Sequence, residues 1–149
     1  MSPIPPASAD RRRWMAILAR ATAEELAGAA AGLPAWTRLR GPELGTVMVR
    51  ARAGGTGAPF NLGEATVARC TVRMASGLVG HSYCLGRDLR QAELAAAIDA
   101  AMQDPAQAAK LDGAVISPLA AAQTARRAVL SRRAAATQVQ FFTLATGRP

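Results

Sequence analysis

A glycine-rich segment in the middle of the chain is the strongest candidate for binding chemistry. It holds, in order, Arg52, Gly54, Gly55, Thr56 and Gly57. Free backbone amides in such a turn can form a concavity that binds an anion. The segment lacks the Lys-Ser/Thr ending of a phosphate-binding P-loop, and no helix pattern follows it. The glycines also have a conformational interpretation, since glycine permits positive φ between two strands, and both interpretations stay open.

A second candidate lies where a predicted strand meets a predicted helix, at Arg87 and Asp88. The exposed amides and the dipole at a helix N-terminus favour an anion there, and the arginine would assist. Asp88 is equally well suited to be a plain N-cap residue. The sequence does not decide between these two roles.

The other reactive residue types do not form a known catalytic or metal-binding pattern. His81 is the single histidine, and neither Cys70 nor Cys84 belongs to a Cys-x-x-Cys pair. A metal site is therefore not expected. There is no nucleophile elbow, no Ser/His/Asp set and no suitable carboxylate pair, so we expect no complete active site on this chain alone.

The elements that position these residues follow from hydrophobic periodicity. Residues 1–9 are predicted to be a disordered tail and residues 10–149 a single domain. Two helices are expected over residues 10–32, with a break at Thr22, whose capping box uses Glu25. Strands are then predicted over residues 36–40, 46–53, 65–74 and 78–85, with a turn at Gly41-Pro42.

Two strands of this predicted meander have a marked difference between their faces. Val47, Val49 and Ala51 share one face, opposite Met48, Arg50 and Arg52. On the next strand, Arg69 and Arg73 lie opposite an apolar face. A two-residue turn at Ser76-Gly77 would pair Cys70 with Tyr83 and place Cys84 on the other face, so a disulfide is not expected.

The last third of the chain is predicted to be mainly helical. A helix is expected from Leu89 to about Met102, capped by a box of Asp88 and Gln91. A short helix then starts at Asp104-Pro105 and stops before Gly113. Ser117-Pro118 begins a longer helix to about residue 136, and residues 137–144 alternate as a final strand. The expected fold is α+β: an antiparallel four- to five-stranded sheet with two N-terminal helices and a C-terminal helical part.

Composition narrows the possible partners. The 149 residues are 50% hydrophobic, which excludes a disordered chain, and the basic excess gives a net charge of +8. Arginine suits phosphates, carboxylates and protein interfaces, although a compositional bias explains its abundance equally well. Aromatic residues make up only 4%, and no nucleic-acid-binding motif occurs. Nucleic acid is therefore not expected as a partner. No membrane span or secretory signal is present, so we expect no membrane partner and a cytoplasmic location.

The motifs along the chain together resemble one family. They are Trp14-Met15-x-x-Leu18-Ala19, Glu25-Leu26, Ala51-Arg52-x-Gly54-Gly55-Thr56-Gly57-x-Pro59-Phe60-Asn61-Leu62-Gly63-Glu64, Thr66-Val67-x-Arg69-Cys70, Gly80-His81-Ser82-Tyr83-x-x-Gly86-Arg87-Asp88, Asp99-Ala100, Pro118-Leu119 and Phe141-Phe142-Thr143. From about Arg13 onward the chain looks like PhnG, a subunit of the bacterial carbon–phosphorus lyase system. One departure is Thr146 before Gly147, where the family often has arginine.

The resemblance implies a role within a larger assembly. PhnG-like proteins associate with the H, I and J subunits of a core complex, and the transfer also requires the L subunit. Together they transfer methylphosphonate onto the ribose of ATP with release of adenine. The resemblance implies a transferase subunit that is not catalytic alone, with ATP as a substrate of the complex and no cofactor on this chain. Arg52, Gly54, Gly55, Thr56, Gly57, Arg69, Arg87 and Asp88 are the candidate substrate-binding or interface residues. The alternative is a stand-alone anion- or nucleotide-binding module using the Gly54–Gly57 loop.

Overall fold

A computed structural model describes residues 6–139 as an α+β fold with an antiparallel sheet, which confirms the predicted class. The elements are α1 (Pro6–Leu18), α2 (Ala23–Ala30), β1 (Trp36–Arg52), β2 (Pro59–Met74), β3 (Val79–Leu85), α3 (Leu89–Met102), α4 (Pro105–Leu111) and α5 (Ser117–Ala136). A 3-10 turn (Ala53–Gly55) follows β1, and a π-helical turn (Asp112–Ile116) precedes α5. Helix α1 includes residues 6–9, which the sequence assigned to a disordered tail. No helix in residues 6–139 is long and apolar enough to cross a bilayer.

Among residues 6–139 the sheet has three strands in the order β1-β2-β3, one fewer than the four strands predicted over residues 36–85. Gly41-Pro42 is not a turn, because β1 continues through it and the register with β2 shifts on both sides of Arg40. A bulge accommodates the positive φ of Gly41 and the missing amide hydrogen of Pro42. At the predicted final strand, Thr137 ends α5, and residues 140–144 lie outside the described residues.

The turn between β2 and β3 also differs from the prediction. The Met74 amide donates to the Leu78 carbonyl at 2.9 Å, so the loop has three residues rather than two. Its last residue, Gly77, has a φ of 88°, which is typical of this loop length. The register therefore moves by one: Cys70 pairs with Ser82 instead of Tyr83. Both cysteines are free and lie on the same buried face.

Helix α3 is the centre of the core. It spans Leu89–Met102 as predicted, and ten of its residues, mostly alanine, are buried. Small side chains on all sides of a helix allow neighbours to approach it closely. At Gly80 of β3, an added Cβ would lie 1.9 Å from the Ala96 carbonyl oxygen. The sheet packs on one side of α3, while α1, α2 and α4 contact it elsewhere.

A buried carboxylate joins three elements at this core. Asp99 of α3 is fully buried, and its two oxygens accept four hydrogen bonds. Arg11 donates two, at 3.1 and 2.7 Å, Trp14 Nε1 donates one at 2.8 Å, and the His81 amide donates one at 2.9 Å. A buried charge is costly unless it is paired in this way. Asp99 therefore attaches α1 to α3 and to the outer edge of β3.

The C-terminal helices form a continuous run rather than two separate helices. Helix α4 ends at Leu111, before Gly113 as predicted, but a π-helical turn that was not predicted connects it directly to α5. The predicted Ser117 cap is wrong, since Ser117 lies inside α5 and its hydroxyl donates to Asp112 at 3.0 Å instead of accepting from an amide of the first turn. Beyond its first turns α5 contacts the body through Gln123, which donates to the Ile17 carbonyl at 2.9 Å, and through an ion pair of Arg126 with Glu25.

Candidate functional site

Residues 46–66 form a two-stranded arm that extends beyond the rest of the sheet. Pairing between β1 and β2 continues from Thr46–Thr66 to Arg52–Pro59, whereas β3 reaches only Val67. At about 3.3 Å per residue, the stretch from Thr46 to Arg52 spans roughly 20 Å. No side chain of the arm is buried. No residue of the arm belongs to the hydrophobic core.

The arm has one apolar face and one basic, polar face. The apolar face carries Val47, Val49, Ala51, Phe60 and Ala65, and the polar face carries Met48, Arg50, Arg52, Asn61 and Glu64. This confirms the predicted division of β1 between its two faces. A register shift between Val49 and Arg50 leaves Leu62 as an extra residue of β2, with 63% of its surface exposed.

The glycine-rich segment forms the tip of the arm. Gly54 and Gly55 have φ values of 60° and 80°, so the turn needs the conformational freedom of glycine at both positions. The Gly57 amide donates to Ala53 at 2.9 Å, and Arg52 Nη1 donates to the Gly57 carbonyl at 3.1 Å. Arg52 thus closes the loop itself. An open depression of about 540 Å³ lies beside it, lined by Arg50, Ala51, Arg52, Gly55 and Pro59.

Arg69 lies at the middle of the open sheet face, away from the helices. Six polar side chains form two adjacent rows across the three strands there, which we call the polar ladder: Glu43, Arg69 and Tyr83 in one row, and Arg40, Thr71 and His81 in the next. Glu43 Oε1 accepts from Arg40 Nε and from Arg69 Nε, each at 2.7 Å. Arg69 Nη1 donates to the Tyr83 hydroxyl at 3.4 Å, and Thr71 Oγ1 lies 3.2 Å from His81 Nδ1.

These contacts shift the acid–base behaviour of the central pair. The hydrogen bond from Arg69 lowers the pKa of Glu43, and Arg40 lowers it further. The hydrogen bond with Tyr83, followed by that with Glu43, raises the pKa of Arg69. Both side chains are therefore charged throughout the neutral range.

Arg87 and Asp88 lie at the start of α3, as predicted. Asp88 Oδ1 accepts from the Gln91 amide at 2.9 Å, which confirms the N-cap. The second half of the predicted capping box is wrong, because the Gln91 side chain donates to the carbonyls of Ala19 and Ala21 instead. An anion at this junction stays a prediction.

The structure separates the site residues at the arm tip from the other predicted site residues. Pro59 at the arm tip and Val67, which pairs with Leu85 near the start of α3, are eight residues apart on one strand. That separation is about 26 Å. The tip residues therefore do not share a binding site with Arg69 on the open face or with Arg87 and Asp88. Their individual binding roles stay predictions.

The buried thiols are not available as nucleophiles. Burial raises the pKa of Cys84 to about 11 and also raises the pKa of Cys70. Only the thiolate is reactive, so both groups are inert at neutral pH. Within residues 6–139, no group of three or more histidine, cysteine and carboxylate side chains is placed to hold a metal ion.

Of the polar ladder, the sequence identified only Arg69 as a candidate site residue and missed Arg40, Glu43, Thr71, His81 and Tyr83. Residues three apart on a regular strand point to opposite faces, so Arg40 and Glu43 were not expected together. The bulge at Gly41-Pro42 adds one residue and brings both to the open face. A Gly-Pro pair inside an alternating run is the signal that could have indicated this bulge.

The described residues form a small α+β domain with a projecting arm and an exposed polar ladder. The chain belongs to the family of the phosphonate metabolism protein PhnG, whose family model matches residues 9–147. It is 46% identical over 142 residues to the alpha-D-ribose 1-methylphosphonate 5-triphosphate synthase subunit PhnG of Rhizobium meliloti (strain 1021). That alignment covers 93% of this chain and 90% of the relative.

Proposed function

We propose that this chain is a subunit of a multi-subunit synthase that transfers methylphosphonate onto the ribose of ATP and releases adenine. The observation that carries this proposal is the 46% identity, over nearly the whole length of both chains, to a relative named as a subunit of α-D-ribose 1-methylphosphonate 5-triphosphate synthase. Membership of the PhnG family supports the same role in organic phosphonate catabolism.

In this proposal the chain completes an assembly and does not catalyse the reaction alone. Its partners are subunits of the H, I and J types, together with an L-type subunit during the transfer. ATP is a substrate of the complex, and this chain carries no cofactor of its own. The assembly works in the cytoplasm.

The arm is the proposed contact with a partner subunit. An isolated two-stranded hairpin is at best marginally stable in water, because it has no third layer over its apolar face. Here Val47, Val49 and Phe60 are between 36% and 44% exposed on one such face. A partner that covers this face would bury apolar surface at about 25 cal/mol per Å² and would fix the arm.

Co-expression with a tagged I-type subunit tests this interface. We expect the wild-type chain to co-purify with it and Leu62→Glu, in the arm, to reduce the recovered amount at least tenfold. A charge in the centre of an interface costs several kcal/mol, since it loses water without gaining a partner. Leu130→Glu is the matched control, because Leu130 of α5 is equally exposed (64% against 63%).

If the Leu62→Glu chain still co-purified with the I-type subunit and the Leu130→Glu chain did not, the interface would lie on α5 instead. Failure of the wild-type chain to bind any of the four partner types would contradict the subunit role itself. The stand-alone alternative at the Gly54–Gly57 loop predicts that the isolated chain binds ATP and that Arg52→Ala removes this binding.

A further inference from the structure

We propose that the polar ladder is a binding site for a small tetrahedral oxyanion, a phosphate or phosphonate group. The site lies on the open face of the sheet, away from the arm tip, and it combines guanidinium, phenol, hydroxyl and imidazole groups from all three strands. The choice of phosphonate as the natural ligand rests on the proposed function, whereas the phosphate chemistry rests on the geometry alone.

The bulge in β1 is what assembles the site. Between Arg40 and Glu43, β1 advances three residues while β2 advances two, from Thr71 to Arg69. Both ends of the bulge therefore lie on the open face, and Glu43 Oε1 accepts from the Nε atoms of two arginines at once. A Cβ at Gly41 would lie 2.8 Å from the Arg69 carbonyl oxygen, so glycine is needed for this close approach.

Glu43 orients both guanidinium groups and leaves donors for a ligand. A guanidinium has five N–H groups, and Glu43 uses only the Nε–H of each arginine. Within residues 6–139 the terminal nitrogens of Arg40 make no hydrogen bond, and Arg69 uses only one of its own, toward Tyr83. The Tyr83 hydroxyl accepts that bond, so its own hydrogen is available to donate. Planar arginine forks of this kind match the oxygens of a phosphate in pairs.

The charge and the size of the site favour a small anion. Two guanidinium groups are opposed by a single carboxylate, which leaves a net positive charge. The cavity between Arg40, Arg69, Cys70, Thr71, His81 and Tyr83 has a volume of about 280 Å³. Sites for drug-sized ligands measure roughly 300–1,000 Å³, so this one suits a single phosphate group better than a whole nucleotide.

Titration of the purified full-length chain with inorganic phosphate and with methylphosphonate tests the proposal. We expect saturable binding of both at low ionic strength, measured by calorimetry or by the ³¹P resonance of the ligand. Arg40→Gln should weaken binding at least tenfold, because it removes the unpaired donors. Tyr83→Phe should weaken it several-fold while preserving the shape of the side chain.

Arg73→Gln is the matched control, since Arg73 lies on the same face of β2 one position beyond the cavity. It removes the same charge and should change affinity less than twofold. If Arg40→Gln and Arg73→Gln lowered the affinity equally, the anion would be attracted by the basic surface in general. That result would overturn the proposal. Thermal unfolding of each variant establishes that the fold is retained.

Titration with ATP distinguishes the source of the phosphate group. If ATP binds more tightly than inorganic phosphate and Arg40→Gln weakens both equally, the ligand is the end of a triphosphate. If ATP binds more weakly than phosphate, the ligand is a free anion. The absence of saturable binding of any of these ligands would overturn the proposal. If Arg40→Gln then reduced recovery of the partner complex, the ladder would instead be a contact for an acidic protein side chain. Neither result would alter the test of the subunit role, which uses Leu62.

Discussion

Asp99 shows how one residue can determine the position of a whole helix. Its carboxylate is fully buried in an alanine-rich helix and holds Arg11, Trp14 and the backbone of His81. Asp99→Asn should destabilise the fold by about 3 kcal/mol, since it leaves Arg11 without its counter-charge and presents an amide group to existing donors.

Chemical denaturation of the two proteins measures this difference in the free energy of unfolding. Asp10→Asn removes the same charge from an exposed position of α1, the helix that Asp99 holds, and its effect should stay within about 0.5 kcal/mol. Equal effects of the two substitutions would mean that net charge, and not the buried contacts, controls stability.

The second prediction at the scale of single residues concerns the reactivity of the two buried thiols. With a pKa of about 11, Cys84 is ionised to roughly one part in a thousand at pH 8, and it is also buried. Neither thiol should react with iodoacetamide in the native protein over hours, and both should react once urea unfolds it. Mass spectrometry counts the labelled thiols, and rapid labelling of the native chain would contradict the buried positions of Cys70 and Cys84.

At the level of secondary structure, the approach of β3 to α3 depends on a missing side chain. A Cβ at Gly80 would overlap the backbone of α3, which has no flexible end that could move aside. Gly80→Ala should therefore cost 3 kcal/mol or more, about the upper end of the usual range for overpacking.

Gly28→Ala is the control for this substitution. Gly28 lies in α2 with nothing within 4 Å of an added Cβ, and alanine favours the helix by about 1 kcal/mol. Urea midpoints of the two variants should move in opposite directions. A stable Gly80→Ala protein would mean that β3 and α3 are further apart than described.

Local patterns predicted the elements better than their junctions. The capping box of Thr22 and Glu25 and the full length of α3 followed from the sequence, because both depend on neighbours three to four residues away. The number of strands did not, since Gly41-Pro42 is equally compatible with a turn and with a bulge, and only pairing with β2 decides between them. The π-helical turn and the three-residue loop ending at Gly77 were missed for the same reason, since contacts with other elements and not local sequence decide them.

The candidate site was predicted in its parts and not in its arrangement. The sequence identified the tip glycines, Arg69 and the Asp88 cap, each from its own short motif. It could not show that the tip glycines lie far from the other two, because that separation arises from the unbroken length of β2. It also missed Arg40 and Glu43, whose meeting with Arg69 requires a register shift of the whole strand.

The molecule as a whole consists of a well-packed body and an arm without support. Strand β2 crosses from one to the other: its residues 67–74 alternate with buried side chains against α3, whereas residues 59–66 pair only with β1. Backbone amides in the arm should therefore exchange with deuterium within seconds to minutes in the isolated chain, and those of residues 67–74 much more slowly.

In complex with an I-type subunit we expect exchange of the arm amides to slow at least tenfold, while exchange in the body remains unchanged. The body thus serves as an internal control within the same strand. Slow exchange of the arm before binding, or no change after binding, would mean that the hairpin is stable by itself and that the partner attaches elsewhere.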